Sequence, residues 1–157
     1  MNEALAIHQA SVQDVPTIAA QRRAMFQAMG CTDAAVLDAV QAASAQWTLR
    51  KMEAGEYRGW LVAAPSGERV AGAGLWLREK CSSRRNISGR QAYVMNLYTE
   101  SGHRRRGLAR RLMGTVLAWC RQNGYAEITL HASDAGRPLY ESLGFKPTAE
   151  MRLRTEG

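Results

Sequence analysis

The spacing of apolar residues changes several times along the chain, and each change marks an element. In ALAIHQA, residues 4–10, apolar and polar residues alternate, the period of a strand. SVQD follows, with Ser11 and Asp14 at capping-box spacing and Pro16 suited to a first helical turn. Val15, Ile18, Met25, Phe26 and Met29 recur at helical spacing, and Gly30 closes that helix. Thr32 or Asp33 caps a second helix, with Val36, Leu37, Val40, Trp47 and Met52 inward and an end near Gly55. YRGWLVAAP and RVAGAGLWLRE then read as two strands joined around Pro65-Ser66-Gly67. KCSSRRNISGR is polar and predicts an exposed hairpin loop, and QAYVMNLYTE is a further strand. From about Arg106 to Asn123, Leu108, Leu112, Val116 and Cys120 recur every fourth position beside Met113 and Leu117, with Gly124 as the stop. AEITLHA is a strand, GRPLYESLG a short helix with Pro138 in its first turn, and FKPTAEMRLR a last strand. The order β-α-α-β-β-β-α-β-α-β predicts one α/β domain over residues 1–157 with a largely central sheet.

Composition narrows the class. With 46% hydrophobic and 22% charged residues, the chain reads as soluble and globular. No apolar run reaches the roughly 18 residues of a membrane span. The start, MNEALAIHQA, lacks a basic segment followed by an apolar one, so no signal peptide is expected and the expected compartment is the cytoplasm. Cys31, Cys81 and Cys120 form no CxxC pair and read as reduced thiols. His8, His103 and His131 show no metal-ligand spacing, and no metal is expected. The net charge of +7 favours anionic partners, although 18 of the 21 basic residues are Arg, a bias that genome composition also produces.

Charge concentrates in HRRRGLARRL, residues 103–112, where five of the eight residues from Arg104 to Arg111 are arginine. A strand ends near Thr99, a short turn follows, and a helix opens at the arginines. The first N–H groups of a helix lack internal partners and carry partial positive charge. Gly107 and Ala109 keep side chains small there, so a phosphate or pyrophosphate fits. The segment is not a Walker loop, since no Gly-Lys-Ser/Thr is present, and GxGxxG is absent. A solvated basic helix start explains the charge equally well.

NLYTESGHRRRGLARRLM followed by LHASDAGRPLYESLGF resembles the GNAT superfamily of acetyl-CoA-dependent N-acetyltransferases. Arg104, Gly107 and Ala109 match its Gln/Arg-x-x-Gly-x-Gly/Ala signature. Leu139, Tyr140, Gly144 and Phe145 match its late Leu-Tyr-x-x-x-Gly-Phe motif, separated from the first by a helix and a strand. The resemblance implies a GNAT-like fold: a mixed central sheet of about six to seven strands flanked by about four helices. It implies acetyl-CoA between the fourth and fifth strands, as co-substrate and without a metal. The backbone of Leu97, Tyr98 and Thr99 would meet the pantetheine arm, and Arg104, Arg105, Arg106, Gly107, Leu108, Ala109 and Arg110 the pyrophosphate.

The implied reaction is direct attack of a primary amine, from a small molecule or peptide, on the thioester. Tyr140 resembles the family's tyrosine acid, which protonates the leaving thiolate. Ser133 stands where the family often has Asn and can still bond to pantetheine, and Gly136 stands where it often has Ala. Asn96 occupies the position of a frequent glutamate base, and an amide cannot accept that proton, so the base is unassigned. Asn96 and Arg22 are the candidates on the acceptor side. Arg22 interrupts an apolar helical stripe and reads either as an anchor for an acidic group on the substrate or as a snorkelling arginine at a core edge. Two other classes remain: a domain that binds acetyl-CoA without turnover, and a basic nucleic-acid-binding module, for which no recognised fold matches. Neither nucleic acid nor membrane is an expected partner, and a homodimer is compatible with the family.

Overall fold

The computed structural model describes residues 5–156. Its elements are β1 (Ala6–Gln9), α1 (Val15–Ala28), α2 (Ala34–Glu53), β2 (Tyr57–Ala63), β3 (Arg69–Glu79), β4 (Arg90–Thr99), α3 (Leu108–Gln122), β5 (Ile128–Leu130) and α4 (Arg137–Ser142), with short 3-10 turns at Val12–Asp14 and Ser101–His103. The strands form one sheet in the order β1-β2-β3-β4-β5. Pairing is antiparallel as far as β4, and β5 joins it in parallel.

The expected caps form. Ser11 Oγ accepts from Gln13 N at 3.3 Å while Ser11 N donates to Asp14 Oδ2 at 2.9 Å. Asp33 accepts from Ala35 N and Val36 N and opens α2. The 80–90 segment is a loop held at its base by Asn86, whose side chain donates to Arg90 O and to Glu127.

Strand alternation sorts the sheet into two faces. Ala71, Ala73, Leu75 and Leu77 of β3 lie beside Trp60 and Val62 of β2 and Ala92 and Val94 of β4. Against them packs the apolar face of α3: Leu108, Leu112, Met113, Val116, Leu117 and Cys120, all buried. The opposite face carries Gly72, Gly74, Trp76 and Arg78, beside Tyr57 and Leu61. α1 and α2 cover that face. The small residues leave room for large ones: a Cβ at Gly74 would lie 2.0 Å from the Tyr57 hydroxyl, and one at Gly72 2.4 Å from Gln21 Oε1.

Three expectations change. Among the described residues the sheet has five strands, because the expected last strand, FKPTAEMRLR, forms neither strand nor helix. Pro147 removes a ladder donor, and the alternating Met151 and Leu153 are 93% and 86% exposed, with no apolar layer over them. β5 also shortens to three residues, because β4, its partner strand among the described residues, leaves it after Val94. In the helices, Met29 and Val36 are 61% and 48% exposed. α2 instead buries Leu37 and Thr48, since only part of its length lies over the sheet. Among the described residues no helix is long and apolar enough to cross a membrane.

Tyr57 and Gly74 are therefore coupled by space. Gly74→Ala should destabilise the fold by about 1 to 3 kcal/mol, the usual range for overpacking a filled core. Chemical denaturation measures this, and an unchanged midpoint would show that Tyr57 relaxes freely.

Candidate active site

The site begins at an irregularity in β4. Gly72 pairs with Tyr98 and Gly74 with Met95, so Asn96 and Leu97 together stand opposite Ala73. That is a β-bulge, and Asn96 takes the left-handed φ of 58° that lets the extra residue fit. Ordinary alternation would send Asn96 to the α3 face. The bulge turns its side chain to the α1 face instead, where Asn96 Oδ1 accepts from Arg22 Nη1 at 2.8 Å and Nδ2 donates to the Tyr57 hydroxyl at 3.0 Å.

The bulge also bends β4 away from β5. Their ladder holds Ala92↔Ile128, Tyr93↔Thr129 and Val94↔Leu130, and then stops. β4 stays paired to β3 as far as Thr99↔Ala71, so beyond Val94 only its β5-side edge lacks a strand partner. Along the stretch from Leu97 through Tyr98 to Thr99, the backbone N–H and C=O groups that point away from β3 are open to an amide-bearing ligand lying in the gap, apart from the Thr99 carbonyl, which accepts from Arg104.

The edge leads into the basic loop. Glu100 N donates to Val70 O at 2.8 Å, and Arg104 Nε donates to Thr99 O at 3.0 Å, which fastens the loop back onto β4. Arg105 and Gly107 both have left-handed backbones, at φ 61° and 74°. A Cβ at Gly107 would meet nothing within 4 Å, so glycine is needed there for its conformation and not for space. No side chain caps α3, whose first N–H groups, at Leu108, Ala109 and Arg110, face outward beyond Gly107. Arg104, Arg105, Arg106 and Arg110 are exposed. Arg110 Nη2 donates to Ser142 Oγ at 2.8 Å and ties this helix start to α4. Among the described residues Arg105 and Arg106 have no hydrogen-bond or ion-pair partner.

α4 carries Tyr140. Ser133 Oγ accepts from Gly136 N at 3.1 Å and shapes the turn into the helix. A Cβ at Gly136 would lie 2.9 Å from the Tyr140 ring, so glycine in place of the family's frequent Ala lets the ring pack against its own turn. The ring meets Phe145 edge-on at 6.0 Å and rests on the α3-side core. Burial pushes the Tyr140 pKa above its ordinary value. Its hydroxyl has no protein partner among the described residues.

On the α1 and α2 face a cleft of about 560 Å³ lies in front of the same gap. Its walls include Arg22, Trp47, Trp76, Arg78, Tyr93 and His131. Tyr93 and His131 also border a cleft of about 440 Å³ that contains Tyr140, so the two sides meet at the end of the β4–β5 ladder. Arg22 is half-buried, its guanidinium 5.0 Å from the Phe26 ring, and burial pulls its pKa down. Tyr57, fully buried, has its pKa pushed up to about 12 by loss of solvent and stays protonated. Asn96 is buried and spends its amide on Arg22 and Tyr57. Trp47, Trp76, Arg78, Tyr93 and His131 are additions to the residues expected at the site. The period-two run Gly72, Gly74, Trp76, Arg78 is the pattern that betrays two of them.

The profile of the acetyltransferase (GNAT) family matches residues 24–145. N-acetyltransferase 8 of Homo sapiens is 38% identical over 60 residues, 36% of this chain and 26% of that protein. N-acetyltransferase 8F1 of Rattus norvegicus is 33% identical over 95 residues, 57% of this chain and 41% of that protein. The chain thus spans less than half the length of these curated relatives. A GCN5-related N-acetyltransferase from Ralstonia eutropha JMP134 superposes with a TM-score of 0.90 at 32% identity, covering 98% of this chain and 100% of that one. A predicted acetyltransferase from Clostridium acetobutylicum, solved with acetyl-CoA, shares the fold at a TM-score of 0.88 and 21% identity, covering 97% and 96% of the two chains. The splayed fourth and fifth strands, the uncapped start of α3 and the extent of the profile match lead to one assignment: this chain belongs to the acetyltransferase (GNAT) family.

Proposed function

We propose that the chain is a single N-acetyltransferase domain over residues 1–157, moving an acetyl group from acetyl-CoA to a primary amine of a small molecule or peptide. The observation that carries this reading is the gap past Val94 and Leu130, which runs along the open edge of β4 to the uncapped start of α3. Acetyl-CoA bound there would supply a thioester carbonyl for direct attack by the amine. The residues fit such a ligand from end to end. The β4 edge at Leu97, Tyr98 and Thr99 offers hydrogen bonds to pantetheine amides and to the acetyl carbonyl, which N–H donors polarise. Backbone N–H groups of the Arg105–Arg110 segment, with the unpartnered guanidiniums of Arg105 and Arg106, would neutralise the pyrophosphate. Arg104 and Arg110 hold that loop to β4 and α4. The Ser133 hydroxyl, an acceptor toward Gly136, still has its own proton to donate. Asn96 acts through Arg22, whose guanidinium it orients.

As the neutral amine nitrogen bonds to the carbonyl carbon, the carbon–sulfur bond breaks, the nitrogen releases a proton to solvent, from which the acid is later reprotonated, and the thiolate needs a proton. Tyr140 would donate it. A phenol buried enough to keep its proton, with no protein partner, is suited to that role. An acceptor screen with acetyl-CoA, read as free thiol release, tests the reaction. Acetyl-CoA binding without turnover of any amine would favour the sensing domain.

Tyr140→Phe keeps the ring and removes the donor. Its kcat should fall about 10²- to 10⁴-fold with acetyl-CoA affinity and thermal stability nearly intact. Because burial raises this pKa, the alkaline limb of wild-type kcat due to Tyr140 should lie at higher pH than an ordinary tyrosine would give, and be missing from the phenylalanine variant. A wild-type kcat in Tyr140→Phe, with chemistry rate-limiting, removes Tyr140 from the mechanism.

Gly107→Glu places a negative charge where the pyrophosphate would sit. Calorimetry should show most acetyl-CoA affinity lost, whereas Gly107→Ala, with the same backbone strain and no charge, should retain more of it. Equal affinities in the two folded variants would move the pyrophosphate elsewhere.

A further inference from the structure

The cleft on the α1 and α2 face has an unbalanced charge. Arg22, Arg78 and Arg152 line it, and the one carboxylate among its lining residues is Glu150. Glu150 is exposed and lies 3.9 Å from both Arg152 and His131, so its charge is spent at the rim. Arg22 and Arg78 have no carboxylate within ion-pair reach among the described residues. Both are nevertheless fixed in place. Arg22 gives one N–H to Asn96 and lays its plane near Phe26. Arg78 gives Nε to Gln91 Oε1 at 2.6 Å and stacks over Trp76 and Tyr93 at 4.7 and 4.9 Å.

Arginine does not shed its proton at physiological pH. A half-buried guanidinium with neutral hydrogen-bond partners pays for lost hydration without the return of an opposite charge. Burial pulls the Arg22 pKa below its ordinary value. A snorkelling arginine would carry its head into solvent; here the Asn96 amide, turned by the bulge, draws the head inward. Two such guanidiniums at one cleft each leave N–H donors unused, and a carboxylate is the acceptor that pairs most strongly with them.

The remaining walls are aromatic. Trp47 meets Trp76 edge-on at 5.6 Å, and Trp76 meets Tyr93 edge-on at 6.2 Å, a rigid apolar surface beside the two cations. A polyamine or other polycation would meet three guanidiniums here.

We propose that this cleft takes, as the acceptor, an amine that also bears a carboxylate, with Arg22 and Arg78 as its anchors and Trp47, Trp76 and Tyr93 holding its apolar part. The proposal rests on the acetyl-transfer reading for its chemistry, but the binding it requires is measurable without turnover.

Phenylalanine, phenylalaninamide, phenethylamine and spermidine separate the features. Titrated into protein saturated with CoA, phenylalanine should bind at least tenfold more tightly than the other three. In the acetyl-CoA assay the order of kcat/KM should be the same. Arg22→Ala should cut the preference for phenylalanine over its amide by about 10- to 100-fold, the usual loss for a charge-assisted hydrogen bond. Arg22→Gln, which keeps a polar group beside Asn96, should lose that preference too, and Arg78→Ala should lose part of it. Selective phenylalanine binding with no thiol release from any of the amines tried would overturn the acetyl-transfer reading and leave the cleft standing as a site for an amine that bears a carboxylate. Binding of phenethylamine or spermidine as tightly as phenylalanine, no binding of phenylalanine, or an undiminished preference in folded Arg22 variants overturns it.

Discussion

Two parallel strands stay joined only while their backbones run side by side, and β4 leaves β5 after three paired residues. The cause is one extra residue. Asn96 and Leu97 share a single opposite position on β3, and the resulting bend opens the gap on which the rest of the site depends. Without it, β4 would continue pairing, its edge groups would be satisfied by β5, and no amide-bearing ligand could lie between the strands. Because β3 follows β4 to Thr99, the opening does not cost the sheet its continuity. The same bend delivers the chain at Thr99 to a loop that Arg104 ties back and that Arg105 and Gly107 turn sharply into α3.

The bulge acts on both faces. Toward α3 it keeps Leu97 on the core that also supports Leu139, Tyr140 and Phe145. Toward α1 it sends Asn96 into a buried polar seam with Arg22 and Tyr57. That seam exists because β3 carries glycine at 72 and 74, where side chains would strike Gln21 and Tyr57. The cleft proposed for the acceptor and the cleft that contains Tyr140 therefore adjoin, sharing Arg78, Tyr93, His131, Glu150 and Arg152 as walls. An amine and a thioester approaching from the two clefts would meet at the strand separation.

Elements whose pattern repeats were legible in the sequence. The four-residue spacing of Leu108, Leu112, Val116 and Cys120 translated directly into a buried face, and the Ser11 and Asp33 caps formed where short polar side chains precede helical runs. The basic helix start was legible because glycine and arginine state its conformation and charge locally. The bulge was not: QAYVMNLYTE reads as an uninterrupted strand, and nothing local marks Asn96 as a residue with left-handed backbone. Its partners Arg22 and Tyr57 are 74 and 39 positions away. The cleft's charge imbalance was hidden for the same reason, since whether an arginine has a carboxylate beside it is a tertiary fact. The last strand failed in the opposite sense. Alternation at Met151 and Leu153 states a face, but a strand also needs an edge to pair with and a layer to cover it.

The central claim is that the separation of β4 and β5 receives the coenzyme along the open β4 edge and the start of α3. Amide hydrogen exchange, followed with and without saturating acetyl-CoA, tests this directly. The N–H groups on the free edge between Leu97 and Thr99, and those from Arg105 to Arg110, should slow markedly on binding, while Ala92 and Val94, already in the sheet interior, change little. Protection confined to other segments, or unchanged exchange along β4 and the α3 start in protein that binds acetyl-CoA, would contradict it.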